Sequence, residues 1–207
     1  MEFGFRDEKE GTFHKIIREW PILLIEIVVA IVLGFLLVTF GFEKTTVSGN
    51  SMDPILSDGD VIIASKVAYV GFKPKRNDVV VFRQEGKEHS YNSVKRIIGL
   101  PGEKIQIIDG KVYIDGNPYK EVNKVEPMIS GGIAEDEITL GEGEYFVLGD
   151  NRNQSEDSRY SSVGMISRSE IIGKAWIRVK PSFGFVRWLG ADKVEKKSIN
   201  SDEKEEE

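Results

Sequence analysis

The sequence predicts a mainly β protein, in which an N-terminal transmembrane helix precedes a domain of coiled antiparallel β-sheets. Three observations lead to this prediction. One apolar run of about 22 residues begins at Pro21, short runs rich in β-branched and aromatic residues follow it, and Asp-Gly pairs separate several of those runs. The chain has 207 residues, of which 40% are hydrophobic, enough for a domain core in addition to the apolar run.

The apolar run, 21–42, is long enough as a helix to cross about 30 Å of hydrocarbon. Its one charge, Glu26, is close enough to the entry end to reach the interface. A buried core helix remains an alternative, whereas a cleaved leader is disfavoured because the run is too long and no small-residue cleavage pattern follows. We therefore predict a cytoplasmic segment at 1–19 and a transmembrane helix at 20–42.

Basic residues indicate the orientation of this helix. Four of them precede it and only Lys44 follows it closely; the four are Arg6, Lys9, Lys15 and Arg18. Because basic flanks stay in the cytoplasm, we predict a single-pass protein of the cell membrane with a cytoplasmic N-terminus and an extracytoplasmic domain.

The predicted β domain spans 43–190. Its clearest strand signals are short apolar runs and one alternating segment, at 60–66, 78–82, 104–113, 145–148 and 171–179. The pair Asp109-Gly110 predicts a two-residue hairpin turn, and Asp115-Gly116 repeats the signal. Residues 191–207 are rich in acids and predict a solvated, disordered tail, with an interaction tail as the alternative.

Composition excludes several classes of function. The formal net charge is −6 and half of the excess of acids falls in the tail, while the domain has nearly balanced charges and so no basic field for nucleic acid. There is no cysteine, which excludes thiol catalysis and disulfides. The two histidines, His14 and His89, have no metal-ligand spacing. We expect no metal, no cofactor and no nucleic-acid partner.

Two segments carry candidate reactive groups. Ser51 follows Gly49 and precedes Pro54, a pattern that can project a hydroxyl from a turn, although any loop can contain these residues. Lys95 shares one strand face with Ile97, and apolar neighbours can lower the pKa of a lysine enough for it to act as a base. The alternative is an ordinary solvated lysine.

A third segment, 149–159, is a dense polar run directly after the strand signal at 145–148. It contains Asp157 and Arg159, which in the simplest interpretation form a surface ion pair of little energetic weight. Its many hydrogen-bonding side chains are also typical of a loop that supports a reactive site.

Four segments resemble, in the same order along the chain, the motifs of bacterial type I signal peptidases of a Gram-positive-like subtype. They are SGNSMDP, DVVVF, VKRIIGLPGE and GDNRNQSEDSR. The likeness extends from the membrane helix to about Pro181. It implies Ser51 as the acylated nucleophile and Lys95 as the general base. It also implies that three residues of the polar segment have supporting roles: Ser155 orienting the lysine amine, and Asp157 pairing with Arg159. Asp150 matches a supporting aspartate.

Two positions depart from the family pattern. Ile55 stands where a threonine is usual, which concerns turn packing rather than chemistry. Gly49 stands where some members carry a serine whose hydroxyl completes the oxyanion hole. The Ser51 backbone amide remains one donor, and the second donor stays open.

The resemblance implies a membrane-bound serine endopeptidase that removes signal peptides from exported preproteins after small residues. Its partners would be secretory preproteins and the lipid bilayer. Three other functions stay in view: a self-cleaving repressor, which would need a DNA-binding domain; a serine protease with His89 as base; and a non-catalytic membrane-anchored β module.

The segment 182–190 has more apolar surface than a short exposed segment before a polar tail requires. Phe183, Phe185 and Trp188 are candidates for contact with the membrane interface, where such rings are favoured. Ile55 and Leu56 are expected to join that surface. The alternative is that the segment completes the domain core.

Overall fold

The computed structural model describes residues 7–85 and 90–186, with the side chains of 20–84 and 91–186. Helix α1 spans Asp7–Gly41, and its part from Trp20–Gly41 is long and apolar enough, by length and composition, to cross a membrane. The helix therefore ends one residue before the end predicted for the span at 20–42, because Phe42 begins the first strand. The chain divides into two compact units between Gly41 and Phe42.

The predicted fold class is confirmed, since the regular structure described in the second unit is mostly antiparallel β-strands. Eight of the described strands form a large sheet in the order β1-β2-β11-β3-β4-β9-β10, with β12 on β11. Their bounds are β1 Phe42–Thr46, β2 Val61–Ser65, β3 Val79–Glu85, β4 Ser90–Gly99, β9 Glu144–Leu148, β10 Ile166–Ser167, β11 Ile171–Lys180 and β12 Gly184–Phe185.

The other four described strands form a small sheet in the order β7-β6-β5-β8. Their bounds are β5 Lys104–Ile108, β6 Lys111–Ile114, β7 Asn117–Pro118 and β8 Ile138–Thr139. The predicted hairpin joins β5 and β6, and both residues of its Asp109-Gly110 turn have the positive φ that this turn requires. Short 3₁₀ turns occupy Val67–Tyr69, Gly132–Glu135 and Arg152–Gln154.

Residues 79–82 of β3 and 94–99 of β4 are buried on both faces of the sheet, which explains why 78–82 is a continuous apolar run rather than an alternating one. Val79 and Val81 belong to one core cluster, whereas Val80 and Phe82 belong to another. A third cluster lies under the small sheet around Ile105. The central strands are therefore fixed by packing on two sides, and they provide a rigid base for the side chains of β4.

The expectation that Ile55 and Leu56 reach the membrane is wrong. They are 3% and 0% exposed and pack in the first core cluster with Met52 and Val186. Burial of Val186 also means that the segment after Pro181 contributes to the core in part, as the alternative held. The apolar residues after Ser51 thus anchor the reactive loop rather than contact lipid.

Candidate active site

The loop that carries Ser51 is held at both ends. Before it, Val47 exchanges backbone hydrogen bonds with the 59–60 turn, donating to Asp60 at 2.8 Å. After it, the fully buried Met52 accepts the amides of the following turn. Between them, Gly49 has φ +78° and donates its amide to Asp58 Oδ1 at 2.7 Å. The loop therefore presents Ser51, half-buried, from a fixed backbone.

Lys95 lies on β4 opposite Val80 of β3 and is only 6% exposed. Its Nζ donates a hydrogen bond of 2.6 Å to Ser51 Oγ. The structure thus brings together the two residues that the sequence proposed as base and nucleophile, although they are 44 positions apart. This contact is the geometry that proton transfer from the hydroxyl to the amine requires.

Burial lowers the pKa of Lys95 below its ordinary value, because the protein interior disfavours the ammonium form. The nearby carboxylates of Asp157 and Glu156 oppose this effect by raising the pKa, and the Arg159 guanidinium adds to it. Desolvation is the largest of these causes, so the amine is neutral over a wider pH range than that of a solvated lysine.

The polar loop, 149–159, is organised around a buried ion pair. Arg159 donates to both carboxylate oxygens of Asp157, from Nε at 2.8 Å and from Nη2 at 3.0 Å. Their side chains are 2% and 0% exposed, so the pair is not the surface feature of the simplest interpretation. Asp157 Oδ2 also accepts the amide of Gly149 at 3.1 Å, which ties the start of the loop to its centre.

Two hydrogen bonds from Asn151 of this loop reach the backbone of the Ser51 loop, one at Ser51 and one at Asn50. The amide of Asn151 donates to the carbonyl of Ser51 at 3.0 Å, and the Asn151 side chain donates to the carbonyl of Asn50 at 3.1 Å. Sequence reasoning assigned no role to Asn151, because nothing in a polar run indicates which amide contacts a distant loop.

Gly149 allows these parts to approach one another. A Cβ at this position would lie less than 3.0 Å from Ser155 Oγ and from the carbonyl oxygen of Ser51. Sequence reasoning missed this position too, although a glycine directly after a buried strand is a recognised signal of close backbone approach. Only glycine fits here without displacing the polar loop from Ser51.

Replacing Gly149 by alanine is therefore expected to lower the turnover number of the hydrolysis that the Ser51–Lys95 contact supports by about 100-fold, the cost of misplacing reacting groups by ~1 Å. The measurement is kcat and KM on the folded variant. Gly141→Ala is the matched control, since its added Cβ meets mainly the flexible end of the Glu144 side chain. Wild-type turnover by Gly149→Ala would contradict the close approach.

Asp150 forms a second buried ion pair, with Arg96. Arg96 donates from Nε and Nη2 to the two carboxylate oxygens, each at 2.7 Å. Arg96 directly follows Lys95 on β4, and side chains alternate along a strand, so the pair fixes β4 from the face opposite Lys95. The resemblance implied a supporting role for Asp150 but did not identify Arg96 as its partner.

Ser155 departs from its expected contact. Its hydroxyl is buried, and among the described residues it has no hydrogen-bond partner, so the expected bond to the Lys95 amine is absent from the structure. The hydroxyl lies beside Gly149 and the backbone of Ser51.

The remaining sequence candidates lie away from the Ser51–Lys95 contact or outside the described part of the chain. Phe183 is 70% exposed and Phe185 is half-buried. Trp188 and His89 fall outside the described residues. No cluster of metal-ligating side chains occurs among the residues that the structure describes.

A serine hydroxyl hydrogen-bonded to a buried lysine amine, on a β scaffold, defines a candidate serine hydrolase of the Ser/Lys class. Comparison with known proteins agrees with this class of enzyme. The family described as signal peptidase, peptidase S26, matches residues 19–180. The chain therefore belongs to the signal peptidase family, peptidase S26. It is a serine endopeptidase by family and a membrane enzyme with one N-terminal apolar helix.

Individual relatives carry matching names. Signal peptidase I of Bacillus licheniformis is 38% identical over 177 residues, which cover 81% of this chain and 90% of that protein. Signal peptidase I T of Bacillus subtilis is 39% identical over 157 residues, covering 71% of this chain and 78% of that protein. A solved signal peptidase I structure from Enterococcus faecalis is 33% identical, covers 49% of this chain and 96% of that chain, and has a TM-score of 0.40.

Proposed function

We propose that this chain removes signal peptides from exported preproteins, with Ser51 as nucleophile and Lys95 as general base. The observation that carries the proposal is the 2.6 Å hydrogen bond from a buried lysine amine to the serine hydroxyl. Membership of the signal peptidase family supports the substrate class.

The proposed reaction proceeds through an acyl-enzyme. Neutral Lys95 accepts the hydroxyl proton as Ser51 Oγ attacks the carbonyl carbon of the scissile bond. The tetrahedral intermediate breaks its C–N bond, and the lysine ammonium returns the proton to the leaving amine. Water, deprotonated by the same lysine, then attacks the ester carbonyl carbon. The C–O bond to Ser51 breaks, the lysine ammonium returns the proton to Ser51 Oγ, and the signal peptide leaves with a new carboxylate.

The backbone amide of Ser51 is the first hydrogen-bond donor to the negative oxygen of the tetrahedral intermediate, as the sequence suggested. Gly49 has no side chain to contribute, and Ser48 is exposed. Asn151, whose side chain donates to the carbonyl of Asn50 at 3.1 Å, fixes the orientation of the peptide unit that carries the Ser51 amide. It is a positioning residue in this proposal.

Two free strand edges offer a site for an extended substrate. Among the described strands, β1 pairs only with β2, and β4 residues before Arg96 pair only with β3. The two strands approach each other where Asn92 donates to Glu43 at 3.3 Å. A peptide in the cleft between them can add as a strand, with its carbonyl delivered to Ser51 at the far end.

The dependence of the rate on pH tests this chemistry. Because burial lowers the pKa of Lys95, kcat/KM for preprotein cleavage is expected to rise with pH, as the amine of the free enzyme loses its proton. The midpoint should lie below the ordinary lysine value of 10.5. A midpoint at or above that value, or a rate independent of pH, would remove Lys95 as the base.

We further propose that the N-terminus is cytoplasmic and that the domain after Glu43 is extracytoplasmic. The basic flank before Pro21 supports this orientation. A membrane helix confines the domain to the bilayer where cleavage sites of exported proteins emerge, which raises their effective concentration.

This orientation predicts that protease added outside intact cells digests the domain and spares the first twenty residues of the chain. The measurement is immunoblotting with one epitope tag at each end, with lysed cells as the control in which both tags are lost. Loss of the N-terminal tag in intact cells, with retention of the C-terminal tag, would reverse the topology.

Phe183 and Phe185 are proposed to contact the membrane interface, and Trp188 remains a candidate from the sequence. The exposure of Phe183 and its edge-on contact with Phe185, with ring centroids 5.8 Å apart, support an aromatic contact surface.

A further inference from the structure

A cavity of about 760 Å³ lies on the Arg96 side of β4. Its lining includes Arg96 but neither Ser51 nor Lys95. Because side chains alternate along a strand, Arg96 and Lys95 face opposite sides, so this cavity is distinct from the proposed substrate cleft. Its volume is in the range of sites that bind small molecules.

The polar part of the cavity wall is cationic. Arg76, Arg96 and Lys174 line it, and each is paired with a carboxylate: Arg76 with Glu103, Arg96 with Asp150, and Lys174 with Asp78. Lys75 also lines it, and among the described residues no carboxylate lies within salt-bridge distance of its amine. The wall therefore keeps one uncompensated positive charge.

The apolar part of the wall belongs to an aromatic array that begins where the apolar span ends. Trp176 and Phe185 line the cavity with ring centroids 6.3 Å apart, and Trp176 stacks on Phe42 at 5.6 Å. Phe42 is peptide-bonded to Gly41, the last residue of the span. In a membrane enzyme the array starts at the depth where aromatic rings favour lipid headgroups.

We propose that this cavity binds the headgroup of an anionic phospholipid. Lys75 supplies the charge that attracts the phosphate, and Trp176 and Phe185 contact the glycerol region and the upper acyl chains. Cations at headgroup depth attract anionic lipid, and the adjacent rings favour the same depth. The inference uses the membrane location but is independent of the catalytic roles of Ser51 and Lys95.

Native mass spectrometry of the full chain in detergent tests the site, with phosphatidylglycerol and phosphatidylcholine of identical acyl chains added separately. The wild type should retain phosphatidylglycerol in preference to phosphatidylcholine. Lys75→Gln should lower the retention of phosphatidylglycerol about fivefold, the effect of one lysine near an anionic surface. Lys73→Gln, an exposed lysine two positions earlier that does not line the cavity, is the matched control and should retain it fully.

Equal retention of the two lipids, or equal losses in Lys75→Gln and Lys73→Gln, would overturn the proposal. Displacement of the retained lipid by millimolar inorganic phosphate would also overturn it, since the cavity would then be a free phosphate site. Cleavage of a soluble peptide substrate in the same detergent, measured in parallel, reports separately on the proposed peptidase chemistry.

Discussion

Replacing Ser51 by alanine, or Lys95 by methionine, is expected to lower the rate of preprotein cleavage by at least about 10⁴-fold, as loss of a nucleophile or its base does in serine hydrolases. Both variants should stay folded. Methionine keeps the apolar stem of Lys95 in the core and removes only the amine. The measurement is the single-turnover rate of preprotein cleavage beside a circular dichroism spectrum and a thermal midpoint.

The sign of the stability change adds a second readout for Lys95→Met. The folded protein lowers the pKa of this lysine, so between the folded value and the unfolded value the unfolded chain binds more protons. Stability therefore rises with pH through that window, and below it the buried ammonium costs free energy. Removing the amine should leave the midpoint at neutral pH unchanged or higher.

Two controls match these variants. Ser161→Ala removes an exposed hydroxyl, and Lys111→Met removes an exposed amine from the hairpin of the small sheet. Both should cleave at the wild-type rate. Cleavage by Ser51→Ala or Lys95→Met within tenfold of wild type, a difference of about 1.4 kcal/mol in the barrier, would remove that residue from the chemistry.

The largest loss of stability is expected from Asp157→Ala. Arg159 would remain buried without its carboxylate, and breaking a buried pair in this way costs about 3–5 kcal/mol in the free energy of unfolding. The Gly149 amide would lose its acceptor as well. Urea unfolding of the wild type and the variant gives the difference, provided the slope with urea is unchanged.

An exposed ion pair provides the comparison. Lys104 and Glu137 are 2.7 Å apart with side chains 53% and 45% exposed, so Glu137→Ala should leave the unfolding midpoint unchanged within error. A loss below about 1 kcal/mol in Asp157→Ala would mean that the buried pair contributes no more than an exposed one does. The polar loop would then owe its shape to other contacts.

Much of the fold follows from local sequence. The Asp109-Gly110 turn fixes the register of β5 and β6 because both residues adopt positive φ, which few other pairs tolerate. The apolar span can also be predicted from local sequence, because its length and composition are enough to identify it. The helix predicted from the sequence extends one residue too far, to Phe42, because an apolar residue is compatible with both a membrane helix and a strand.

The supporting contacts of the site could not be read from sequence, because they join residues that are distant along the chain. Arg96 and Asp150 are 54 positions apart, and Asn151 contacts Asn50 across 101 positions. A pattern of single residues carries no information about which partner a buried charge finds. The burial of Ile55 has the same origin, since exposure depends on what packs against the loop.

The structure agrees to different degrees with the roles that the resemblance to signal peptidases implies. Ser51 and Lys95 lie in direct hydrogen-bond contact, and Asp157 pairs with Arg159. Ser155 is buried nearby with its hydroxyl unpaired among the described residues.

In the proposed function, this chain cleaves preproteins through Ser51. Its most direct test is to incubate the purified full chain with an exported preprotein and sequence the N-terminus of the mature product. We expect one new N-terminus immediately after a small residue at the end of the signal peptide, and no product with Ser51→Ala. Cleavage at unrelated positions, or an unchanged product with Ser51→Ala, would contradict it.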